Sequence, residues 1–402
     1  MSGGDSAAGG GPVRLAEEVM RGNWVEGERG RTPYAYTRPS PTRYTWQWYW
    51  DSCFAAIVWR RFDPARARAE LESLLRAQRP DGFIGHTIFW HRPVTWDRLA
   101  FYNVATRTAF QTETIQPPLL AWAWKIAVGD PAAAPGIGAQ ADWLGANRDL
   151  DGDGLLWIIQ PDESGLDASP KFDEVWGWRA NGHLGFPLLV GHNRRRGFEA
   201  RRIAASGGPV VCEVVVNVLW CLSLLALGRP SITPRLVERL WDERRGLFFD
   251  DVRPAGRRST VSTWASLAPL ALPDLPEAIG RRLVEEHLLK EGEYWTPVAP
   301  PSVSATERSF EPGVGRGWIR RYWRGPTWVN SAWLVWLGLR RLGYEEQAAR
   351  LAAGLGGAVE RSGLREYYDP RDGTGLGAVD FTWSALVAEL LDPDPAALTS
   401  HL

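Results

Sequence analysis

The chain has 402 residues with 46 basic against 47 acidic side chains, so it can bury a sizeable core and carries no global field that would recruit nucleic acid or an anionic membrane. Length by itself leaves both one large barrel and two domains open. Only Lys125, Lys171 and Lys290 are lysines, so nearly all of the positive charge is arginine.

Residues 1–11 read as a flexible tail without the basic and apolar regions of a signal peptide, and residues 12–402 as one domain. A first short helix is expected over 15–24. An aromatic run, Trp46-Gln47-Trp48-Tyr49-Trp50, then leads into a helix ending near Trp59, followed by an amphipathic helix over 64–78 with proline in its first turn. This pairing of an apolar with an amphipathic helix recurs: 117–128 with 132–147, 210–227 with 234–242, 262–270 with 276–290, and 328–342 with 344–361. The last apolar helix, 381–391, has no successor and would pair with the first, closing a ring of six pairs. The expected fold is therefore all-α, an (α/α)6 barrel whose loops at one end line a funnel. The apolar stretch 210–227 approaches membrane-spanning length, but Glu213 and Asn217 interrupt it, which favours a buried helix.

Two loop segments place carboxylic acids among Gly, Pro, Ser and Tyr: Pro161-Asp162-Glu163-Ser164-Gly165-Leu166-Asp167-Ala168-Ser169-Pro170 and Arg365-Glu366-Tyr367-Tyr368-Asp369-Pro370. A glycosidic bond breaks through an oxocarbenium-like state, which needs one protonated carboxyl on the leaving oxygen and a second, ionised one assisting attack. Asp167 is the candidate acid, expected to be held protonated by desolvation against aromatic neighbours, and Glu366 the candidate base, expected to stay ionised. The plainer reading is that both are turn carboxylates.

Twenty-three tryptophans supply flat apolar faces suited to sugar C–H bonds, although about half read as core, as is usual for tryptophan. The five bulky residues 46–50 in a row are not all expected in the core. Asp51 at a helix start serves either as a cap or as an acceptor of sugar hydroxyls, and Gln116 sits at the equivalent junction of the second pair. His86 and His91 lack a third histidine at metal spacing. The turn Asp149-Leu150-Asp151-Gly152-Asp153-Gly154 opens like a calcium loop, but Gln160 stands where the bidentate glutamate belongs. The reading is no metal and no cofactor. The three cysteines, Cys53, Cys212 and Cys221, are odd in number and lack metal spacing, as expected for buried thiols of a reduced cytoplasm.

The set Trp48-Tyr49-Trp50-Asp51-Ser52, Glu163 to Pro170, Tyr322-Trp323-Arg324-Gly325-Pro326-Thr327-Trp328 and Glu366-Tyr367-Tyr368-Asp369-Pro370 resembles glycoside hydrolase family 63, whose relatives include trehalases and processing α-glucosidases. Within it the chain is most similar to the short bacterial mannosylglycerate and glucosylglycerate hydrolases. The resemblance implies an (α/α)6 barrel, inversion of configuration, Asp167 as acid and Glu366 as base, their carboxyls about 6.5–9.5 Å apart. It also implies that Tyr44, Trp48, Tyr49, Trp50, Asp51, Gln116, Gly165, Tyr322 and Trp323 hold the substrate, with His86 added to that set. No β-sandwich precedes the barrel, which favours a small glycoside. A glycerate carboxylate calls for an arginine fork, and the run Arg194-Arg195-Arg196 with Arg201 and Arg202 is the natural source, Arg201 being the chosen candidate. The segments 194–202 and 313–317 are expected to act as lids. A trehalase or another small-substrate α-glucosidase is the alternative; a sugar epimerase, which needs paired histidines, and a non-catalytic carbohydrate-binding toroid are remoter. A homo-oligomer is compatible with the sequence.

Overall fold

The computed structural model describes residues 10–91, 99, 101–180, 185–313 and 322–394. Trp96, Trp318 and most of the 313–317 lid lie outside these residues. The helices that matter for the site are α1 (Gly10–Asn23), α2 (Tyr49–Phe62), α3 (Pro64–Arg76), α4 (Leu120–Ala127), α5 (Pro135–Arg148), α6 (Gly185–Arg194), α7 (Ala200–Ala205), α8 (Val214–Ala226), α9 (Thr233–Leu240), α10 (Glu277–Arg282), α11 (Val329–Arg341), α12 (Glu345–Ser362) and α13 (Val387–Leu391).

The chain is punctuated where its capping chemistry says it should be. Asp63 ends α2 and starts α3, its carboxylate accepting from the backbone of Ala65 and Arg66 with Pro64 in the first turn, where a missing N–H is harmless. Glu213 caps α8 in the same way, accepting from the Val216 N–H at 2.6 Å, so the expected helix 210–227 opens instead with the strand Val210–Cys212. Two other apolar segments are tighter than expected. Trp264–Ala271 is a 3-10 helix with Pro269 inside it, and Thr382–Leu386 is a 3-10 turn that runs into α13.

The buried faces follow the apolar segments. Residues 49–59 of α2, 214–224 of α8 and 329–339 of α11 are buried without interruption, the mark of helices enclosed on all sides. These inner segments neighbour one another in a closed cycle: α2 packs on α4, α4 on α8, α8 on 264–271, that on α11, α11 on 382–386, and 382–386 back on α2. Outside them α3 covers α2, α9 covers α8, α12 covers α11, and α1 lies on 382–386.

The helices carry short sheets in the loops between them. Among the described residues four are two-stranded, and one is four-stranded in the order 257–258, 251–253, 210–212, 157–158. That sheet ties the entry of the acid loop to the start of α8. No helix of the described residues is long and apolar enough to cross a membrane, and Cys53, Cys212 and Cys221 are buried free thiols.

Candidate active site

Glu366 lies on the strand Arg365–Tyr368, paired antiparallel with Gly375–Val379, and the register slips between Arg365 and Tyr367. The extra residue is on the partner strand, where Gly377 and Ala378 together face Glu366, and the strand bearing Glu366 keeps its alternation, with Glu366 and Tyr368 buried and Arg365 and Tyr367 partly exposed. The Glu366 side chain is completely buried. Its Oε1 accepts the Tyr322 phenol at 2.6 Å, its Oε2 accepts the Ala378 N–H at 2.8 Å, and Arg43 Nη1 stands 3.9 Å from Oε2. Gly377 has φ 70°, and a Cβ there would come within 2.5 Å of Oε2; the absent side chain is what leaves room for the carboxylate. Tyr368 exchanges two backbone bonds with Thr327 (2.8 and 2.9 Å), so the Tyr322–Trp328 segment and the strand bearing Glu366 form one unit.

The acid loop starts with a 3-10 turn, Pro161–Ser164, closed by Gly165 at φ 72°. A Cβ at Gly165 would meet the Trp50 ring at 2.5 Å, so the loop lies directly on the indole. Three ionic ties fix it. Arg148 on α5 grips Glu163 bidentately at 2.6 and 2.7 Å, and Glu163 also accepts from the backbone of Ile115 (3.1 Å) and Ile159 (2.8 Å). Arg324 donates to the Ala168 carbonyl at 3.0 Å while gripping Asp173 at 2.6 Å. Lys171 is buried between Glu213 and Asp250, pinning the loop's far end to the cap of α8. Held between these ties, Asp167 is exposed. It is not enclosed by aromatic rings as the sequence led one to expect.

Tyr322 links the two carboxyl loops. Its phenol is pushed well up, first by burial and then by the charges of Glu366, Tyr44 and Asp167. The next residue, Trp323, stacks on Trp328 with centroids 3.9 Å apart and 6° between planes, and packs on Trp50 at 6.4 Å. Asp51, in the first turn of α2, is buried, and burial pushes its carboxyl well up. Tyr44 and Trp48 remain half-buried, edge to face at 5.9 Å, and Trp48 meets the His86 ring at 5.1 Å. Burial lowers His86 to about 3, so the imidazole is neutral. Gln116 accepts from the Trp50 N–H at 3.0 Å.

A buried glutamate bonded to a phenol and an exposed aspartate on a loop against Trp50 stand in a chain that matches a known family. The model described as "Mannosylglycerate hydrolase MGH1-like glycoside hydrolase domain" matches residues 44–229 and 230–384. The chain belongs to this family. The mannosylglycerate hydrolase of Thermus thermophilus is 32% identical, over 88% of this chain and 96% of its own. The glucosylglycerate hydrolase of Mycolicibacterium hassiacum is 26% identical, over 90% of this chain and 95% of its own. The crystal structure of the glycoside hydrolase family 63 mannosylglycerate hydrolase from Thermus thermophilus in complex with Tris and D-glycerate superposes with a TM-score of 0.77 at 30% identity, covering 94% of this chain and 99% of that one. Neutral trehalase from Saccharomyces cerevisiae, at 16% identity and TM-score 0.55, shares the fold.

Within this glycoside hydrolase some expected residues take other places. The Tyr49 hydroxyl donates to Gln140 on α5 at 3.0 Å and accepts from the Leu120 N–H at 3.2 Å, so it joins helices and does not face the acids. Arg201 donates to the Asp149 carbonyl at 2.6 Å, closing the C-terminal end of α5, where a cation is favoured. Arg194 is likewise engaged, with the carbonyls of Leu99, Tyr102 and Val104. Of the run 46–50 only Trp48 stays partly exposed, because separate packing sites receive the others, Trp46 in a satellite cluster with Phe89 and Val104. In the calcium-like turn, Asp149 accepts backbone N–H groups, and Asp151 and Asp153 pair with Arg239 and Arg253. Sequence reasoning missed Arg43, Gly377 and the Arg148, Lys171 and Arg324 ties. Only Gly377, in the short Gly375-Leu376-Gly377 repeat, left a local signal.

Proposed function

We propose that the chain is an inverting glycoside hydrolase on an (α/α)6 barrel, a single catalytic domain that converts 2-O-mannosylglycerate or 2-O-glucosylglycerate to the hexose and glycerate. Asp167 protonates the glycosidic oxygen, and Glu366 takes a proton from the attacking water. The observation that carries this reading is the Tyr322 phenol, which donates to the buried Glu366 at 2.6 Å. The two carboxyls stand in different surroundings: Glu366 is buried and accepts two hydrogen bonds with the Arg43 guanidinium 3.9 Å away, and Asp167 is exposed, open to a leaving group. Tyr44, Trp48, Trp50, Asp51, His86, Gln116, Gly165 and Trp323 form the proposed sugar pocket. The relatives' names support a glycerate leaving group, and the buried thiols suit a reduced cytoplasm.

The test offers mannosylglycerate, glucosylglycerate, glucosylglycerol, trehalose and kojibiose side by side and follows glycerate and the first-formed anomer by proton NMR. Release of the β-hexose from an α-glycerate glycoside is expected. Equal hydrolysis of uncharged glucosylglycerol, or preference for trehalose or kojibiose, would replace the glycerate reading with that of a neutral-disaccharide hydrolase. First appearance of the α-anomer would make the enzyme retaining.

A further inference from the structure

The acid stands on a strained turn. The Leu166 carbonyl accepts the Ser169 N–H at 3.0 Å, which closes a four-residue turn with Asp167 and Ala168 at its centre. Ala168 is buried and has φ 62°. A turn residue with positive φ is normally glycine, and an L side chain is disfavoured there. Such a conformation persists only where the surroundings hold it. Whatever holds Ala168 also fixes the direction in which the neighbouring Asp167 side chain leaves the backbone.

Arg324 makes that contact. Its Nη1 donates to the Ala168 carbonyl at 3.0 Å, and the same guanidinium forks onto Asp173, at 3.2 Å to Oδ1 and 2.6 Å to Oδ2. The Asp173 side chain is 42% exposed, so the pair adds little stability; what the fork fixes is the plane and heading of the guanidinium. The backbone behind Arg324 is itself held. Its carbonyl accepts the Glu311 N–H at 2.6 Å, the Gly325 N–H donates to Ser302 Oγ at 2.9 Å, and Trp323 is stacked on Trp328. Two residues before Arg324, Tyr322 donates to Glu366. The short run 322–325 thus touches the base directly and the turn of the acid through Arg324.

Resting on Asp167 as the general acid, we infer that Arg324 is a positioning residue of the reaction: it holds Ala168 in the left-handed conformation and so sets the acid against a base that the same run supports. Without Arg324 the turn relaxes toward negative φ, which re-aims Asp167 and leaves Tyr322 and Glu366 bonded as they are. The loss then falls on the step that needs a proton delivered to the leaving oxygen.

The experiment measures kcat and KM of the parent and Arg324→Met on glucosylglycerate or mannosylglycerate, whichever the parent prefers, and on the corresponding glycosyl fluoride, whose leaving group needs no proton. Arg324→Met is expected to lose about ten- to a hundredfold in kcat on the glycerate glycoside, with KM and fluoride hydrolysis little changed. Adding Ala168→Gly, which frees positive φ of strain, should recover part of that loss. Asp173→Asn, which weakens the fork and keeps the arginine, should show the same pattern with a smaller loss, and it serves if Arg324→Met does not fold. An unchanged kcat, equal slowing of both substrates, a loss confined to KM, or no recovery with Ala168→Gly would show a merely structural tie and overturn the inference. The underlying assignment fails separately: Asp167→Asn would then keep near-parental turnover of the glycerate glycoside, whatever the Arg324 variants do.

Discussion

Removing the Tyr322 hydroxyl isolates what the phenol does for the base. Phenylalanine keeps the ring that packs edge-on against Trp328 at 4.8 Å and Tyr367 at 5.7 Å, so Tyr322→Phe deletes one hydrogen bond and little packing. That bond is a 2.6 Å O–H donation to a buried carboxylate, and hydrogen bonds to charged groups are worth about 1.5–3 kcal/mol. At 1.36 kcal/mol per tenfold in rate, the loss corresponds to about one to two decades in kcat/KM, provided that the bond is kept while the base acts on the attacking water. The phenol also fixes where the carboxylate stands, so the loss is expected in kcat more than in KM. The assay measures kcat and KM of the parent and of Tyr322→Phe on the preferred glycerate glycoside, with circular dichroism to confirm the fold. An unchanged kcat/KM, or a change confined to KM, would refute the claim that Tyr322 supports the base.

Asp167→Asn and Glu366→Gln should each lower turnover by about 10²–10⁴, the usual share of a general acid or base, with unchanged circular dichroism; near-normal turnover in either would remove it from its role. Gly377→Ala sets a methyl against Glu366 Oε2 at a positive φ. A displaced base should cost about a hundredfold in kcat, read against KM, which should change little. Arg148→Met leaves Glu163 buried without its cation, a loss of about 3–5 kcal/mol. For a chain of this length that lowers the melting temperature by about 4–6 °C, measured by calorimetry, and Arg148→Met with Glu163→Met should recover part of it. A melting point unchanged in the single variant would mean that the ion pair contributes nothing.

Much of the frame was legible because its signals are local. Apolar runs such as 214–224 and 329–339 announced enclosed helices, Pro64 after Asp63 announced the turn between α2 and α3, and the order of the pairs anticipated which segment neighbours which. The acids stood out for the same reason, each in a short run of turn residues. What failed was directional. Period and composition do not say that Tyr49 reaches α5, or that Arg201 finds the end of a helix 52 positions earlier in the chain. They also do not show the bulge at Gly377 and Ala378 that makes room for Glu366, since that depends on the pairing of the two strands, or that Asp167 stands exposed on its loop.

The buried acids show how position alone misleads and partners decide. Glu163 faces Arg148, Glu213 and Asp250 face Lys171, and Glu389 faces Arg60; each is compensated by a cation at bonding distance, and losing either member strands a charge. Glu70 has only hydroxyl and N–H donors, from Ser52 and Thr37, and burial raises it to about 8, so it sits as a neutral acid behind α2 and adds no fixed charge near Asp51 at neutral pH. Glu366 resembles Glu70 in being buried on hydrogen-bond donors, from Tyr322 and Ala378, while among the described residues Arg43 stands 3.9 Å away and 41% exposed, hence screened. Burial without a close cation therefore does not by itself mark a working acid. What sets Glu366 apart from Glu70 is its place, on the strand joined to the Tyr322–Trp328 segment and facing a glycine that leaves its carboxylate room.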